Sequence, residues 1–167
     1  RRHTRYISVT GVQTCALPIY GKNPRYKYVR TRDEFEKALL AFGKSQYRYL
    51  HLSSHGDPEG LVTTNQEEID FDELAELLKP HMKGRRLFVS ACEMVHQDLA
   101  KAVIPSSGCT SVVGPTNKIA FTDSAVVWAA IYHLAFKQDT KRITRDDLAE
   151  KIKAACEVFD VPFAFFA

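Results

Sequence analysis

Short apolar segments that alternate with longer helix-like segments constrain the fold of this chain more than any other feature. Strands that alternate with helices of about 10–15 residues are typical of a parallel sheet that has helices on its faces. The sequence therefore predicts an α/β fold with a mostly parallel sheet flanked by helices. A polar, turn-rich segment, 57–69, is expected to contain a short hairpin arm. The predicted strands cover residues 25–30, 47–54, 85–91, 109–114 and 162–166.

The boundaries of the predicted helices follow from local signals. Thr31 and Asp70 each precede an apolar helical period and have a glutamate three positions later, which is typical of helix N-caps. Thr144 is expected to cap the last helix. Thr122 is expected to begin the longest helix, which is apolar nearly all round and therefore well buried. Pro105 is expected to end a short helix, because proline lacks a backbone N–H.

The first 19 residues differ in character from the rest of the chain. They have no helical or strand period and no acidic residue. Their stretch VTGVQTCALPI resembles the translation of a common short-read sequencing adapter, so residues 1–19 are interpreted as a scar foreign to the natural protein. A natural disordered arm is the alternative interpretation. The remaining residues, 20–167, have the length of one domain.

The charge balance gives no reason to expect a polyanionic partner. The chain has 23 lysines and arginines, 20 aspartates and glutamates and a net charge of +3. Three of the arginines lie in residues 1–19, so the rest of the chain is neutral. We therefore expect no nucleic-acid partner and no membrane partner. No apolar run approaches the roughly 20 residues that span a bilayer.

The cysteines indicate free thiols rather than disulfides. Cys92, Cys109 and Cys156 follow the adapter-like segment, in an odd number and without Cys-x-x-Cys spacing. Reduced thiols are typical of the cytosol, so we expect a cytoplasmic protein. The histidines and cysteines do not have the spacing of a zinc site, and we expect no metal and no cofactor. The patterns GxSxG, P-loop and GxGxxG, which indicate serine hydrolases and nucleotide-binding proteins, do not occur.

Two of the predicted strands end on a chemically reactive side chain. The segment RYLHLSSHG, 48–56, ends with His55 and Gly56, and the segment RRLFVSACE, 85–93, contains Cys92 directly after its apolar run. In parallel sheets the carboxyl ends of the strands form one crevice, and consecutive strands are usually neighbours. We therefore expect His55 and Cys92 to lie on adjacent parallel strands and to face each other, with side chains within roughly hydrogen-bond reach, allowing for a looser geometry without substrate.

A histidine close to a cysteine can support nucleophilic catalysis. A cysteine after an apolar strand is more often a core residue, so the pairing with His55 carries the interpretation. The thiolate is the nucleophilic form of cysteine, and a nearby imidazole can accept the thiol proton. Gly56 has no Cβ, so its backbone can approach a substrate closely. The backbone N–H groups of Gly56 and Cys92 are expected to form an oxyanion hole.

The same two segments resemble the signature segments of the caspase-like cysteine peptidase clan, and within it the CHAT domains of bacteria. Caspases have one strand that ends in Ser-His-Gly and a later strand that ends in Ala-Cys, and CHAT domains have Ser-Ala-Cys, found here at residues 90–92. The likeness extends roughly over residues 25–136. The resemblance implies a caspase-like sheet, with His55 as the general base, Cys92 as the nucleophile and Gly56 as an oxyanion donor.

The resemblance also bears on specificity and on the extent of the domain. Ser90 stands where caspases have Gln and Glu93 where they have Arg, so the caspase preference for Asp at the cleavage site is not carried over. Caspase-like sheets begin with a strand and a helix that precede the equivalent of segment 25–30. We therefore expect a natural chain that starts further upstream and a fragment that lacks a strand. The abrupt end at Ala167 is a further expected truncation.

The resemblance implies a cysteine endopeptidase that acts on proteins or peptides, as a bacterial defence or signalling effector with a possible regulatory protein partner. Two alternatives stay open: a catalytically silent CHAT-like module that binds a partner protein, and an acyl-transfer enzyme with a non-peptide substrate. Some relatives have an acid in the primary specificity pocket, so Asp57, Glu93 and Asp123 are candidates for binding a basic substrate side chain. Asp123 also follows the expected N-cap Thr122, where the helix dipole alone accounts for an acid.

Two further histidines lie near the pair in sequence. His51 is four residues before His55 on the same predicted strand and face, and we expect it to be a hydrogen-bonded core residue. His96 is four residues after Cys92 and is the alternative candidate for the base.

Overall fold

Residues 24–137 and 143–167 are described in a computed structural model of the chain. The adapter-like segment, which includes Cys15, lies outside these residues. Within the described ranges, no helix is long and apolar enough to cross a membrane. The helices are α1 (Arg32–Gly43), α2 (Phe71–Leu78), α3 (Gln97–Ser107), α4 (Phe121–Phe136) and α5 (Arg145–Phe159). The strands are β1 (Tyr49–Ser53), β2 (His55–Gly56), β3 (Gly60–Val62), β4 (Glu68–Asp70), β5 (Arg86–Ser90), β6 (Ser111–Pro115) and β7 (Phe163–Phe166).

The larger sheet has four strands in the order β1-β5-β6-β7. The first three strands are parallel, and β7 pairs with β6 in the antiparallel direction. Ser53 at the end of β1 is paired with Ser90 at the end of β5. The predicted mixed α/β architecture with a mostly parallel sheet is therefore confirmed, and the carboxyl ends of β1 and β5 are level with each other.

A second, smaller sheet follows directly after β1. Strands β2, β3 and β4 form an antiparallel meander in which His55 is paired with Val62. Gly60, in β3, is paired with Asp70 at the end of β4. The turn-rich segment 57–69 thus contains the short hairpin that the sequence predicts.

The four-stranded sheet has a separate apolar cluster on each face. Side chains alternate between the two faces of a strand. Along β5, Leu87 and Val89 belong to one cluster and Phe88 to the other. The first cluster contains residues of α1, α2 and α3, and the second contains residues of α4 and α5. Helices therefore cover both faces, as the predicted fold class requires.

Three helices begin at the residues that the sequence predicts. The side chain of Thr31 accepts a hydrogen bond from the backbone N–H of Glu34 at 3.2 Å. Asp70 caps α2 by accepting from the N–H of Glu73 at 2.8 Å. Thr144 caps α5 in the same way. Each contact spans three residues, so the local sequence is sufficient to specify it.

Segment 25–30 does not form the predicted strand. In the described part of the chain it joins neither sheet, although Val29 is buried in the core. The backbone N–H of Arg30 donates to the Glu34 carboxylate at 2.7 Å, and its carbonyl accepts from the N–H of Asn65 at 3.1 Å. These contacts tie the segment to α1 and to the hairpin, in place of the regular ladder that a strand requires.

Pro105 does not end α3, contrary to the sequence prediction. The helix continues to Ser107 and is closed by Gly108, whose φ of 67° lies in the left-handed region that glycine adopts without strain. The hydroxyls of Ser106 and Ser107 donate to carbonyl oxygens of the preceding turn. These additional hydrogen bonds support the turn in which the proline supplies no N–H.

Helix α4, the longest within residues 24–137 and 143–167, begins without the predicted threonine cap. Its N-cap is Ala120, which makes no side-chain cap hydrogen bond, and Thr122 lies inside the first turn. The helix is instead held by its buried face, where Val127 and Ile131 have no exposed surface. Burial of one such side chain contributes about 1.5–3 kcal/mol, which exceeds the typical contribution of about 1 kcal/mol from an N-cap.

Candidate active site

His55 and Cys92 both lie at the carboxyl edge of the parallel sheet. Ser53 at the end of β1 is paired with Ser90 at the end of β5. His55 is two residues past Ser53, and Cys92 is two residues past Ser90. The chain turns at Ser54, whose N–H donates to the carbonyl of Ser90 at 3.3 Å. His55 therefore belongs to β2 of the small sheet and not to the parallel strand on which the sequence predicts it. The two candidate residues are nevertheless brought to one edge of the fold.

The backbones beside the two residues are in close contact. A Cβ built on Gly56 would lie 2.8 Å from the Cβ of Ala91 and 3.4 Å from the carbonyl oxygen of Cys92. Real Cβ atoms essentially never approach another carbon as closely as the first of these distances. The need for glycine at position 56 is therefore explained by packing against the strand end that carries Cys92, in addition to any role toward a substrate.

The expected hydrogen bond between thiol and imidazole is not formed among the described residues. His55 is exposed, and its ring has no hydrogen-bond partner within that part of the chain. Cys92 is half-buried, and its thiol points to the backbone carbonyl of Ile119 at 3.8 Å. His55 is solvent-exposed on β2, so catalysis requires its imidazole to come within hydrogen-bond reach of the thiol. Catalytic hydrogen bonds often tighten only when substrate binds.

The turn after Cys92 is held by the loop that precedes α4. Glu93 has a φ of 59°, which is uncommon for a residue with a side chain. Its N–H donates to the carbonyl of Asn117 at 3.3 Å, and its carboxylate lies 3.7 Å from the ammonium group of Lys118. Val95 continues this contact by donating to the carbonyl of Pro115 at 3.2 Å. Strained backbone of this kind is often found at active sites.

The ring of His51 is held beneath α4. Its Nδ1 is paired with the hydroxyl of Tyr132, and its Nε2 lies 2.7 Å from Oγ of Ser90. Burial lowers the pKa of His51 to about 3 and raises the pKa of Tyr132, so both side chains are uncharged at neutral pH. His51 is therefore the hydrogen-bonded core histidine that the sequence predicts.

The contact between Ser90 and His51 has the spacing of a serine nucleophile and its base. A general base is most effective when its pKa is close to the working pH. Transfer of a proton to His51 at neutral pH costs about 5 kcal/mol, since each pKa unit corresponds to about 1.4 kcal/mol. The energetic cost argues against catalysis by Ser90 and leaves Cys92 as the better nucleophile at this edge.

The alternative base, His96, is already engaged through both ring nitrogens. It is the N-cap of α3, and its Nδ1 accepts from the backbone N–H of Asp98 at 3.3 Å. Its Nε2 donates to the carbonyl of Pro58 at 2.8 Å. Because both ring nitrogens are already hydrogen-bonded, His96 has no lone pair free to accept the proton of Cys92. This favours His55 as the base.

The three acidic candidates occupy different positions around the edge. Asp57 directly follows the β2 strand, and its Oδ1 accepts from the N–H groups of Glu59 and Gly60 at 2.8 and 3.0 Å. These hydrogen bonds give Asp57 a role in forming the turn. Glu93 is paired with a lysine, as described above. Asp123 is exposed in the first turn of α4, where an acid is favoured by the helix dipole.

The other thiols are poorly suited to nucleophilic chemistry. Burial raises the pKa of Cys109, and it raises the pKa of Cys156 to about 11. Cys92, Cys109 and Cys156 are all free thiols. Among residues 24–137 and 143–167, no group of three or more His, Cys, Asp or Glu side chains is placed to hold a metal ion.

Sequence patterns did not indicate Ile119 or Tyr132 as neighbours of this edge. Ile119 contributes a backbone carbonyl, which no side-chain motif reveals. Tyr132 has a detectable signal, because its side chain ends in a hydroxyl and it lies one helical turn from Trp128 in the apolar part of α4. Such a tyrosine usually requires a buried hydrogen-bond partner.

Comparison with known proteins adds no independent assignment. No family model matches the chain, and no curated protein matches it. The chemistry of the site therefore rests on its own residues and their placement.

Proposed function

We propose that this protein is a cysteine peptidase of the caspase-like, CHAT type, in which Cys92 is the nucleophile and His55 the general base. The observation that carries the proposal is the alignment of the two residues. Each stands two positions beyond the paired ends of β1 and β5, and the close packing of Gly56 on Ala91 joins their backbones. The mostly parallel sheet with helices on both faces is compatible with a caspase-like fold.

In the proposed reaction, the imidazole of His55 accepts the proton of the Cys92 thiol. The thiolate sulfur attacks the carbonyl carbon of the scissile peptide bond, and the carbonyl oxygen becomes an oxyanion. The N–H groups of Gly56 and Cys92 donate to this oxyanion. His55 then gives its proton to the leaving amine, and a thioester remains on Cys92. His55 next accepts a proton from water, and the hydroxide attacks the thioester carbon. The C–S bond breaks and the carboxylic acid product leaves. The proton on His55 returns to the sulfur and regenerates the thiol.

The proposed substrate is a protein or peptide, and the reaction needs no cofactor. Acidic side chains of Asp57 and Glu93 lie in the loops that follow the two catalytic residues, so a basic substrate side chain near the cleaved bond is favoured. Glu93 is already paired with Lys118, which competes for its carboxylate. A nucleophilic thiol must stay reduced, and we therefore propose a reducing, cytoplasmic compartment.

One observation favours the second candidate function, a catalytically silent module that binds a partner protein. The imidazole of His55 is exposed, and within the described residues it has no hydrogen bond to the thiol of Cys92. A site that does not catalyse a reaction has no need of a hydrogen bond between the imidazole and the thiol. Retention of both reactive residues at one edge favours the peptidase.

A peptide-library cleavage assay separates these functions. The purified protein is incubated with a library of random peptides, and new amino termini are identified by mass spectrometry. The Cys92→Ala variant is the matched control. We expect cleavage by the wild-type protein and none by the variant. Cleavage that persists in the variant, or a folded wild-type protein that cleaves no peptide, contradicts the proposal. Acyl transfer to hydroxylamine from a non-peptide thioester, without peptide cleavage, identifies the acyl-transfer alternative.

A further inference from the structure

His96 contacts two segments that are far apart in sequence. Its Nε2 lies 2.8 Å from the carbonyl oxygen of Pro58, which is 38 positions earlier in the chain. Its Nδ1 accepts from the backbone N–H of Asp98 at the start of α3. The ring also packs edge-on against Phe71, the first residue of α2, with ring centroids 5.1 Å apart.

The partners of His96 define its hydrogen positions. A carbonyl oxygen can only accept, so Nε2 carries the ring hydrogen and donates to Pro58. Nδ1 then has the lone pair that accepts from the N–H of Asp98. This tautomer satisfies both contacts at once, and the carboxylate of Asp98 also lies 3.5 Å from Nδ1.

Helix capping alone does not account for a histidine at this position. Asn, Asp and Ser are the preferred N-caps, and any of them accepts from the first turn of a helix as well as histidine does. These side chains are shorter than histidine. The distinguishing feature of His96 is the reach of its far nitrogen to the loop that contains Pro58.

The two segments joined by His96 are those that carry the proposed catalytic pair. Pro58 is three residues after His55, and His96 is four residues after Cys92. The loop after His55 is otherwise closed by hydrogen bonds within itself, from the N–H groups of Glu59 and Gly60 to Asp57. His96 provides a side-chain hydrogen bond from this loop to the helix beyond the nucleophile.

We propose that His96 is a positioning residue that fixes the loop after His55 against α3 and so sets the separation between the His55 imidazole and the Cys92 thiol. The inference rests on the proposed function, because it assumes that the two side chains act together. Without the hydrogen bond to Pro58, the loop after β2 loses its side-chain attachment to α3, while Ser54 and Gly56 still hold the hairpin to the end of β5. The imidazole then stabilises the thiolate less well, although neither catalytic side chain has changed.

The test is the pH dependence of alkylation of Cys92 by iodoacetamide, followed residue by residue with mass spectrometry. His96→Gln and His96→Ala form the decisive pair. Both remove the aromatic ring, but glutamine retains an N–H donor long enough to reach the carbonyl of Pro58. Because only one of them can donate to that carbonyl, a comparison between the two isolates the contact. Circular dichroism and melting temperature establish that each variant is folded.

We expect His96→Ala to lower the alkylation rate of Cys92 near neutral pH by about three- to tenfold, since a tenfold change in thiolate fraction corresponds to one pKa unit. His96→Gln is expected to restore most of the wild-type pH profile. The rates of Cys109 and Cys156 should be the same in all variants. His96→Asn, which retains the cap but not the reach, should behave like His96→Ala.

Two results overturn the inference, and they are distinguishable. If His55→Ala changes the Cys92 profile but folded His96→Ala does not, the catalytic pair stands and the positioning role is wrong. If His55→Ala leaves the Cys92 profile unchanged, the imidazole does not act on the thiol at all. The proposed function then fails together with the inference drawn from it.

Discussion

Gly56 lies directly against Ala91, so closely that a Cβ on the glycine would stand 2.8 Å from the Cβ of the alanine. The contact joins the small antiparallel sheet to the end of the parallel sheet, between His55 and Cys92. It replaces the continuous parallel pairing that the sequence predicts for these residues. The distance between the candidate base and nucleophile therefore depends on how two different sheets pack.

Replacement of Gly56 by alanine is expected to destabilise the protein by about 1–3 kcal/mol, because the added methyl group overpacks the junction. No positive φ is involved at this position, so the effect is steric. The free energy of unfolding in urea measures it.

The control for this substitution is the same change in an Ala91→Gly background. Removal of the Ala91 methyl group eliminates the closest contact, so Gly56→Ala should cost less in that background. The remaining distance of 3.2 Å to the carbonyl of Gly60 prevents complete recovery. An equal loss of unfolding free energy in the two backgrounds would show that Gly56 and Ala91 are not in close contact.

If the proposed function is right, removal of either proposed catalytic residue, His55 or Cys92, lowers kcat/KM for peptide cleavage by at least about a thousandfold, because nucleophile and base act as one unit. The Cys92→Ala, His55→Ala double variant should be scarcely slower than either single variant. Cys109→Ala serves as the control and should retain most activity. If His96→Ala abolishes cleavage while His55→Ala does not, the base is misassigned.

Alkylation by iodoacetamide at about pH 8 is expected to modify Cys92 before Cys109 and Cys156. A thiol with a pKa of about 11 is about one part in a thousand thiolate at this pH, which describes Cys156. Cys109 is buried and its pKa is also raised. Site-resolved mass spectrometry over a time course gives the order, and a faster reaction at Cys156 would contradict it.

Acid is expected to destabilise the fold through His51. Its pKa falls from the ordinary 6.5 to about 3 in the folded protein, so between these values the unfolded state binds a proton that the folded state does not. Above about pH 6.5 the His51 imidazole is neutral in both states and does not affect the free energy of unfolding. Below that pH, the free energy of unfolding decreases by about 1.4 kcal/mol per pH unit as the pH falls toward 3. Urea unfolding between about pH 7 and pH 5 measures the slope.

A glutamine at position 51 cannot titrate. The free energy of unfolding of His51→Gln should therefore depend less steeply on pH than that of the wild type, even if the variant is less stable at neutral pH. His133→Gln changes an exposed histidine of α4 and is the matched control. An identical slope in wild type and His51→Gln would mean that His51 is protonated as easily in the folded protein as in the unfolded chain.

The sequence by itself determined the features that depend on neighbours in the chain. The N-caps Thr31, Asp70 and Thr144 were predictable because each acts on a backbone N–H three residues away. The alternation of strands and helices indicated the parallel sheet, since helical crossovers are the usual connection between parallel strands. From that sheet followed the placement of His55 and Cys92 at one edge, because carboxyl ends of parallel strands lie together.

Tertiary structure alone decided the features that depend on distant partners. Segment 25–30 has the composition of a strand, but the described sheets provide no ladder for it. The place of His55 in the small sheet depends on the pairing of β2 with β3, and the hydrogen bond of His96 depends on a carbonyl 38 positions away. Sequence periodicity reports which face of an element is buried, but it does not report which backbone group lies opposite a given side chain. That information exists only after the chain has packed.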